Sequence, residues 1–347
     1  MRYLLVFLLS IFISNYTFSQ GCCSGGSGSP IAGGVSAGVL QEGQMELGLN
    51  YQNSFSNQLY SGSKLDTLSS NKIDNLSSNY LYAKMAYGIT KKLTLSVETG
   101  YYLDRTLVKL HPENIDNTQK SSGNGDLIIF PRYDIYDRTS ERYHTEITLG
   151  LGIKIPLGKA NDSTMVYEDP STGQKTFTTS APTVQTTTGS HDIIFYGFVL
   201  HEFKKAKFRV FANALYVRKG WNPLGEKFGD YIGAGLFTSK TFFKKLGVTL
   251  QVKGEWIGPM EGVAGVGLSP ADNLMALYNV DLNSTGSKKF SFVPQISYSY
   301  KSFTFFALSD MPFYQFMNGT QIGSQYLFTA GMSYRFMPGK FLWKKVE

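Results

Sequence analysis

The sequence predicts an all-β protein: a transmembrane antiparallel up-and-down β-barrel of about twelve strands behind an N-terminal signal peptide. Three observations predict it. An export signal is followed by no apolar run approaching the ~18 residues a spanning helix needs, so any crossing of a bilayer must use strands. Apolar and polar residues alternate with period two in segment after segment. Long and short connections succeed each other regularly between those segments. Composition agrees, because a 347-residue chain with 36 Gly, 25 Phe, 22 Tyr and only 17% charged residues is neither disordered nor a coiled coil.

Residues 1–19 read as the signal peptide. Arg2 supplies the positive start, Leu4 to Ile13 the apolar run, and Thr17-Phe18-Ser19 the small residues at the cleavage positions, so the mature chain begins at Gln20. A competing reading lipidates Cys22, but Ser19-Gln20-Gly21 lacks the apolar residue that a lipoprotein signal places upstream. Residues 20–43 form a Gly- and Cys-rich segment, periplasmic or folded into the lumen as a hatch. Its adjacent Cys22 and Cys23 are compatible with a vicinal or intermolecular disulfide and with capture of a soft metal. They are the only metal-ligand candidates, and no cofactor is expected.

The barrel is expected over residues 44–337, followed by a periplasmic tail, 338–347. Met45, Leu47, Leu49 and Tyr51 alternate with Glu46, Gly48 and Asn50, and Leu81 to Ile89 repeat the beat. Leu93 to Tyr101 and Tyr143 to Ile155 follow, then Leu246 to Trp256 and Tyr326 to Phe336. Segments 126–136 and 290–300 are also strand-like. Those near 191–203, 208–219, 229–239 and 303–313 are apolar on both faces, which leaves their facing open. The last strand ends on Phe336, an aromatic of the kind the barrel assembly machinery reads.

The connections are long at 55–78, 104–124, 156–189 and 257–288, moderate at 219–229 and 314–325, and short at 90–92, 137–141, 204–207, 240–245 and 301–302. Membrane barrels sort their loops this way, with periplasmic turns short and extracellular loops long. A soluble sandwich has no reason to do so. Loops 156–189 and 257–288 are the expected constrictions or solute-capture sites.

Opposite the apolar rows stand Glu46, Lys84, Glu98, Arg132, Asp134, His144, Glu146, Lys154, Lys253, Glu255 and Arg335. In a barrel these face the lumen while the apolar rows meet lipid, which implies a polar interior. Each is read first as a member of an ion pair that stiffens the wall and second as a selectivity element. Tyr51, Tyr87, Tyr101, Trp256, Tyr298 and Tyr334 fall near strand ends and suit interface girdles.

Three short motifs carry a family resemblance. Gly123-Asn124-Gly125-Asp126-Leu127 opens a strand running to Pro131-Arg132-Tyr133, Gly152-Ile153-Lys154-Ile155-Pro156-Leu157-Gly158-Lys159 closes one, and Thr188-Gly189-Ser190-His191-Asp192 opens the next. Together they resemble the outer-membrane transporters associated with the phenol meta-degradation pathway. The resemblance implies a barrel of about twelve strands that moves small, often hydrophobic compounds. Read physically, the motifs are loop-to-strand corners in which Gly takes the bend and Asp caps exposed N–H groups.

Catalytic constellations are poor. No Ser stands ten residues after His111, His144, His191 or His201, the spacing sought for a barrel phospholipase. Asp104, His111, Asp116 and Asp126 could be grouped at a rim as a protease site, but loop acids are more often solvated. The run from Gly152 to Gly158-Lys159-Ala160 is one residue too long for a phosphate loop and ends on Ala. An enzyme is therefore not expected.

The net charge of +7 gathers at one end. The short turns and tail hold Lys91, Lys92, Arg138, Arg142, Lys204, Lys205, Lys207, Lys240, Lys244, Lys245, Lys301, Lys340, Lys344 and Lys345 against Asp137, Glu141 and Glu347, a net +11 that leaves −4 elsewhere. Such a basic rim suits anionic head groups of the periplasmic leaflet, and no nucleic-acid partner is expected. The expectation is a porin-like, passive channel in the outer membrane of a Gram-negative bacterium, surrounded by lipid and lipopolysaccharide and carrying a small solute. The alternative is a structural or adhesive barrel with a closed lumen and partner-binding loops; a barrel enzyme comes last.

Overall fold

The computed structural model describes residues 38–66, 73–109, 117–262 and 282–338. The signal peptide, Cys22, Cys23, His111, part of the loop 257–288 and nearly all of the tail lie outside them. Twelve long strands close into one barrel: β1 (Met45–Ser56), β2 (Ile73–Gly88), β3 (Leu93–Lys109), β4 (Asn117–Thr139), β5 (Tyr143–Pro156), β6 (Asp192–Phe203), β7 (Phe208–Arg218), β8 (Tyr231–Phe242), β9 (Leu246–Ile257), β10 (Ser287–Tyr300), β11 (Phe303–Ile322) and β12 (Leu327–Phe336). Each pairs antiparallel with its sequence neighbour, and β12 returns to β1 with Met45 opposite Phe336 and Tyr51 opposite Ala330. Closure leaves none of these twelve strands on an edge of the barrel, which is what permits a sheet to sit in hydrocarbon.

The two-residue period becomes an inside and an outside. On β1, Glu46, Asn50 and Gln52 are buried while Leu47 and Leu49 are exposed on the outer wall. Leu149, Leu151 and Ile153 of β5, Leu250 and Val252 of β9, and Phe303 and Phe305 of β11 continue an apolar exterior around the barrel. A water-soluble protein does not carry such a girdle, because the area is far beyond an ordinary surface patch. Tyr87, Tyr101, Trp256 and Tyr298 are on this outer surface. The segments of open facing are resolved by packing: on β6, Ile194, Tyr196 and Phe198 turn inward, and Ile193, Phe195 and Val199 outward.

The short turns all lie at one end. They comprise 89–92, 140–142, 204–207, 243–245 and 301–302. Lys207, Phe243, Lys244 and Lys301 have φ between 49° and 60°, the backbone that tight hairpins demand. At this rim Lys245 and Lys301 lie 5.8 and 5.3 Å from the centre of the Tyr300 ring. Phe243 projects from its turn at 88% exposure, so basic and aromatic side chains are interleaved at one membrane interface.

Three of the expected connections are shorter than predicted. Strands run on into 104–109, 117–124 and 73–78, and β11 continues to Ile322, which leaves only 323–326 before β12. Beyond the apolar band polar residues such as Asn53, Ser77 and Asn79 enter the outward face, so the alternation fades although the ladder persists. Side-chain amides and hydroxyls support this projecting part: Tyr51 and Asn53 donate to Asn79 at 2.5 and 2.9 Å, and Asn79 donates to Asp104 at 2.8 Å.

Candidate functional site: the barrel lumen

Five inward-facing positions near the turn end form one charged ladder. Arg335 Nε donates to Glu46 at 2.5 Å, Lys84 stands 3.8 Å from both Glu46 and Glu98, and Arg132, buried like the two glutamates, lies in the field of Glu98 and Glu46. The register places Lys84 directly across from Glu98 on β2 and β3. Asp134 is buried two residues further along β4. Glu146 of β5 accepts Thr148 Oγ1 at 2.9 Å and the backbone N–H of Val39 at 3.1 Å, while Leu40 N–H donates to Thr94 at 2.7 Å. Residues 38–41 thus run inside the barrel, with Leu40 buried. His144, nearer the rim, bonds Asp137 at 3.1 Å.

The second cluster assembles the three sequence motifs. Lys154 lies 3.1 Å from Asp192 and 3.3 Å from Asp126, and donates to Thr188 at 2.6 Å. Asp192 also receives Lys219 at 2.9 Å, Ser190 Oγ at 2.7 Å and Gly220 N–H at 3.2 Å. Asp126 accepts the Thr187 hydroxyl. These two Asp are therefore more than backbone caps. They bind cations of the neighbouring strand and loop, a role the motifs did not disclose because the partner Lys219 is 27 residues from Asp192.

What these bonds hold is the long connection 157–191. Its outer part is a hairpin, Ser163–Glu168 paired with Lys175–Thr179. At its exposed tip the Ser171 hydroxyl and N–H, at 2.6 and 2.8 Å, hold the Asp169 carboxyl down at about 2. Residues 180–190 then fold inward and are buried almost throughout. Val184, wholly buried, packs on Leu76 of β2, Leu107 of β3 and Ile322 of β11. Ala181 N–H donates to Gln119 at 2.8 Å, Ser121 to the Val184 carbonyl and Arg105 to the Gln185 carbonyl. The segment therefore spans from β6 to the far wall near the loop end of the barrel. The neighbouring loops 219–230 and 258–286 are tied to each other by the pairing of Glu226–Lys227 with Glu261–Gly262, where the Glu261 hydrogen bond at 2.7 Å raises the Lys227 ammonium above its ordinary value.

A third cluster lies on β8 to β11. Lys253 pairs with Asp310 and, at 3.3 Å, with Glu255; Lys289 reaches Glu255 at 2.8 Å, and Tyr231 donates to it at 2.6 Å. Lys253 and Glu255 belong to the predicted alternation. Asp310 and Tyr231 were hidden in runs whose facing the sequence leaves open, and Lys289 stood between the connection 257–288 and the strand-like segment 290–300.

The interior is polar on part of its circumference only, contrary to the polar lumen expected. Ile128, Phe130, Ile194, Tyr196, Phe198 and Leu215 form a buried inner cluster against which Phe211 and Tyr231 pack. Phe211 stacks on Phe237 with ring centres 4.4 Å apart. Gly150 and Gly152 of β5 make room for Phe130: a Cβ on Gly152 would lie 2.5 Å from its ring. A cavity of about 530 Å³ remains, bounded near the turn end by Gln44, Arg209, Ser297 and Arg335 and near the loop end by Thr186, Phe228 and Ser324. Among the described residues no cluster of His, Cys, Asp and Glu has metal-binding geometry.

No protein-family model and no curated protein matches the sequence. Solved structures do. An outer-membrane channel from Pseudomonas putida F1 superposes with a TM-score of 0.60 at 12% identity, covering 87% of this chain and 99% of that one. The translocator domain of the autotransporter NalP from Neisseria meningitidis (TM-score 0.42, 10% identity, 86% and 90% covered) and the CymD monoaromatic hydrocarbon channel (0.41, 10%, 86% and 89%) are too distant to carry an argument. The chain has the fold of an outer-membrane channel, and at such identities the likeness is one of fold alone.

Proposed function

We propose that this protein is a passive channel or diffusion facilitator in the outer membrane, admitting a small solute with an apolar part through a narrow lumen. The observation that carries the reading is the cavity itself. It reaches from the turn end to the loop end, with an aromatic wall on β6 to β8 and paired charges opposite, and a structural barrel has no need of such a space. The aromatic wall agrees with the hydrophobic compounds implied by the sequence motifs, and the phenolic class belongs to this proposal. Ion pairs fix the wall in shape, and the inward segment 180–190 sets the bore. The basic turns face the periplasmic leaflet, the long loops face lipopolysaccharide, and the assembly machinery inserts the chain.

The N-terminal segment 20–43 acts as a lumenal hatch, a reading supported by the burial of Leu40 and the bonds of Val39 and Leu40 to the wall. Liposome swelling and planar-bilayer conductance test the whole. A panel of small solutes should enter vesicles containing the protein, and removal of residues 20–40 should raise single-channel conductance. A tight seal from a correctly folded barrel, before and after that deletion, would favour the structural or adhesive reading with a closed lumen.

A further inference from the structure

Among the described residues, the cations that line the cavity are all engaged but one. Lys154 and Lys219 are held by Asp192, Lys253 by Asp310, Lys289 by Glu255, Arg335 by Glu46, and Arg105 by the Gln185 carbonyl. Arg209, second residue of β7, lines the same cavity and forms no hydrogen bond or ion pair among the described residues. Glu202 lies across from it in the β6–β7 register, yet the two make no ion pair. On the other side its register partner is Ser239 of β8, whose Oγ accepts Thr249 Oγ1 at 2.9 Å. That leaves the Ser239 hydroxyl proton free to be donated. The aromatic platform stands beside this polar row: Phe211 is two residues along the same strand, stacked on Phe237, with Phe198 6.0 Å away.

We infer that this sector is a recognition site for a small aromatic carboxylate, its ring on Phe198, Phe211 and Phe237 and its carboxylate on the Arg209 guanidinium with Ser239 as a second donor. The inference deepens the proposed channel by naming the solute class, and it rests on that reading only for transport. The physical case is the cation. A guanidinium in a partly apolar lumen gains from an anion with two coplanar oxygens, which its fork meets with two parallel bonds. A neutral ring leaves it unneutralised, and an ammonium is repelled. The apolar contact then separates an aromatic acid from acetate, since affinity rises with the apolar area removed from water.

Calorimetry on the purified full chain in detergent tests the site without requiring conduction. Benzoate is expected to bind at least tenfold more tightly than acetate, which lacks the ring, and than benzylammonium, which has the wrong charge. Arg209→Gln should abolish the preference for benzoate over benzylammonium. Phe211→Ala should weaken benzoate and leave acetate unchanged, and heat-modifiable electrophoretic migration establishes that each barrel is folded. Equal binding of benzoate and benzylammonium, or benzoate binding that survives Arg209→Gln, would overturn the site. Benzoate bound through Arg209 by a barrel that never conducts would uphold the site and sink the channel.

Discussion

Asp192 is the carboxylate on which two loops and a strand converge, and replacing it by Ala should open the lumen. The residue is 1% exposed, and its carboxylate takes Lys154, Lys219, Ser190 and the Gly220 N–H. Asp192→Ala leaves two ammonium groups facing each other with Asp126 as the remaining counter-charge to Lys154. Removing one partner of a buried ion pair costs about 3–5 kcal/mol, because the surviving charge stays desolvated. At about 1.4 kcal/mol per decade, the balance between docked and released segment 180–190 shifts by roughly 140- to 3,700-fold. The hydrophobic anchor cannot compensate, since burying one Val contributes only about 1.5–3 kcal/mol. Single-channel recording should show a larger mean conductance or a larger open fraction, and limited proteolysis should cut the segment that the wild type protects. A companion variant, Asp192→Asn with Lys219→Met, removes a charge of each sign and should recover part of the closure. If Asp192→Ala folds normally yet leaves conductance and proteolysis unchanged, the ion cluster does not hold the loop and the reasoning fails.

Other expectations follow from the same contacts. Gly152→Val drives a side chain into the Phe130 ring, and the overpacking should cost about 1–3 kcal/mol, read as a lower midpoint of heat-modifiable migration; an unchanged midpoint would mean that the ring is free to move. Val184→Ala removes about two methylene equivalents, or ~1.6 kcal/mol, from the contact with Leu76, Leu107 and Ile322. It should therefore raise the open fraction by less than Asp192→Ala does. Leu40→Asp puts a carboxylate where a buried apolar side chain sits and should expel residues 38–41 from the lumen, seen as increased conductance together with labelling of a cysteine placed at Gly38. Phe243→Ser removes the exposed ring of one basic turn. It should weaken association with anionic vesicles while leaving conductance alone, and a change in conductance would place that turn in the pore instead.

Much of the barrel was readable because a bilayer and a β-strand impose the same rule on every segment. Leu149, Leu151 and Ile153 face lipid and Lys154 does not, and that division follows from a period of two and the cost of a charge in hydrocarbon. The rule stops where the environment stops being one-sided. On β6 and β7 both faces are apolar, so Phe198 and Phe211 could not be told from lipid-facing residues until the barrel closed around them. Past the apolar band the alternation is broken by polar residues on either face, such as Asp104, Thr106, Asn318 and Thr320, which is why 104–109 and 314–322 read as loops although their ladders continue.

The charged residues show the same boundary. Glu46, Lys84, Glu98 and Arg335 were visible as inward positions, since each sits in a clean alternation, but which carboxylate meets which cation depends on strand neighbours that are distant in sequence: Arg335 and Glu46 are 289 residues apart. Asp126, Lys154 and Asp192 stood in three separate motifs that read as corners. Only closure of β4, β5 and β6 side by side, with loop 157–191 turned inward, makes them one cluster. The sequence by itself determined strand periodicity, the sorting of loops and the basic rim, because these are local consequences of pleat, solvent and charge. The tertiary structure alone decided which aromatics line the lumen, which loop folds inward and which cavity arginine has no hydrogen bond or ion pair among the described residues, because those depend on what lies across the barrel.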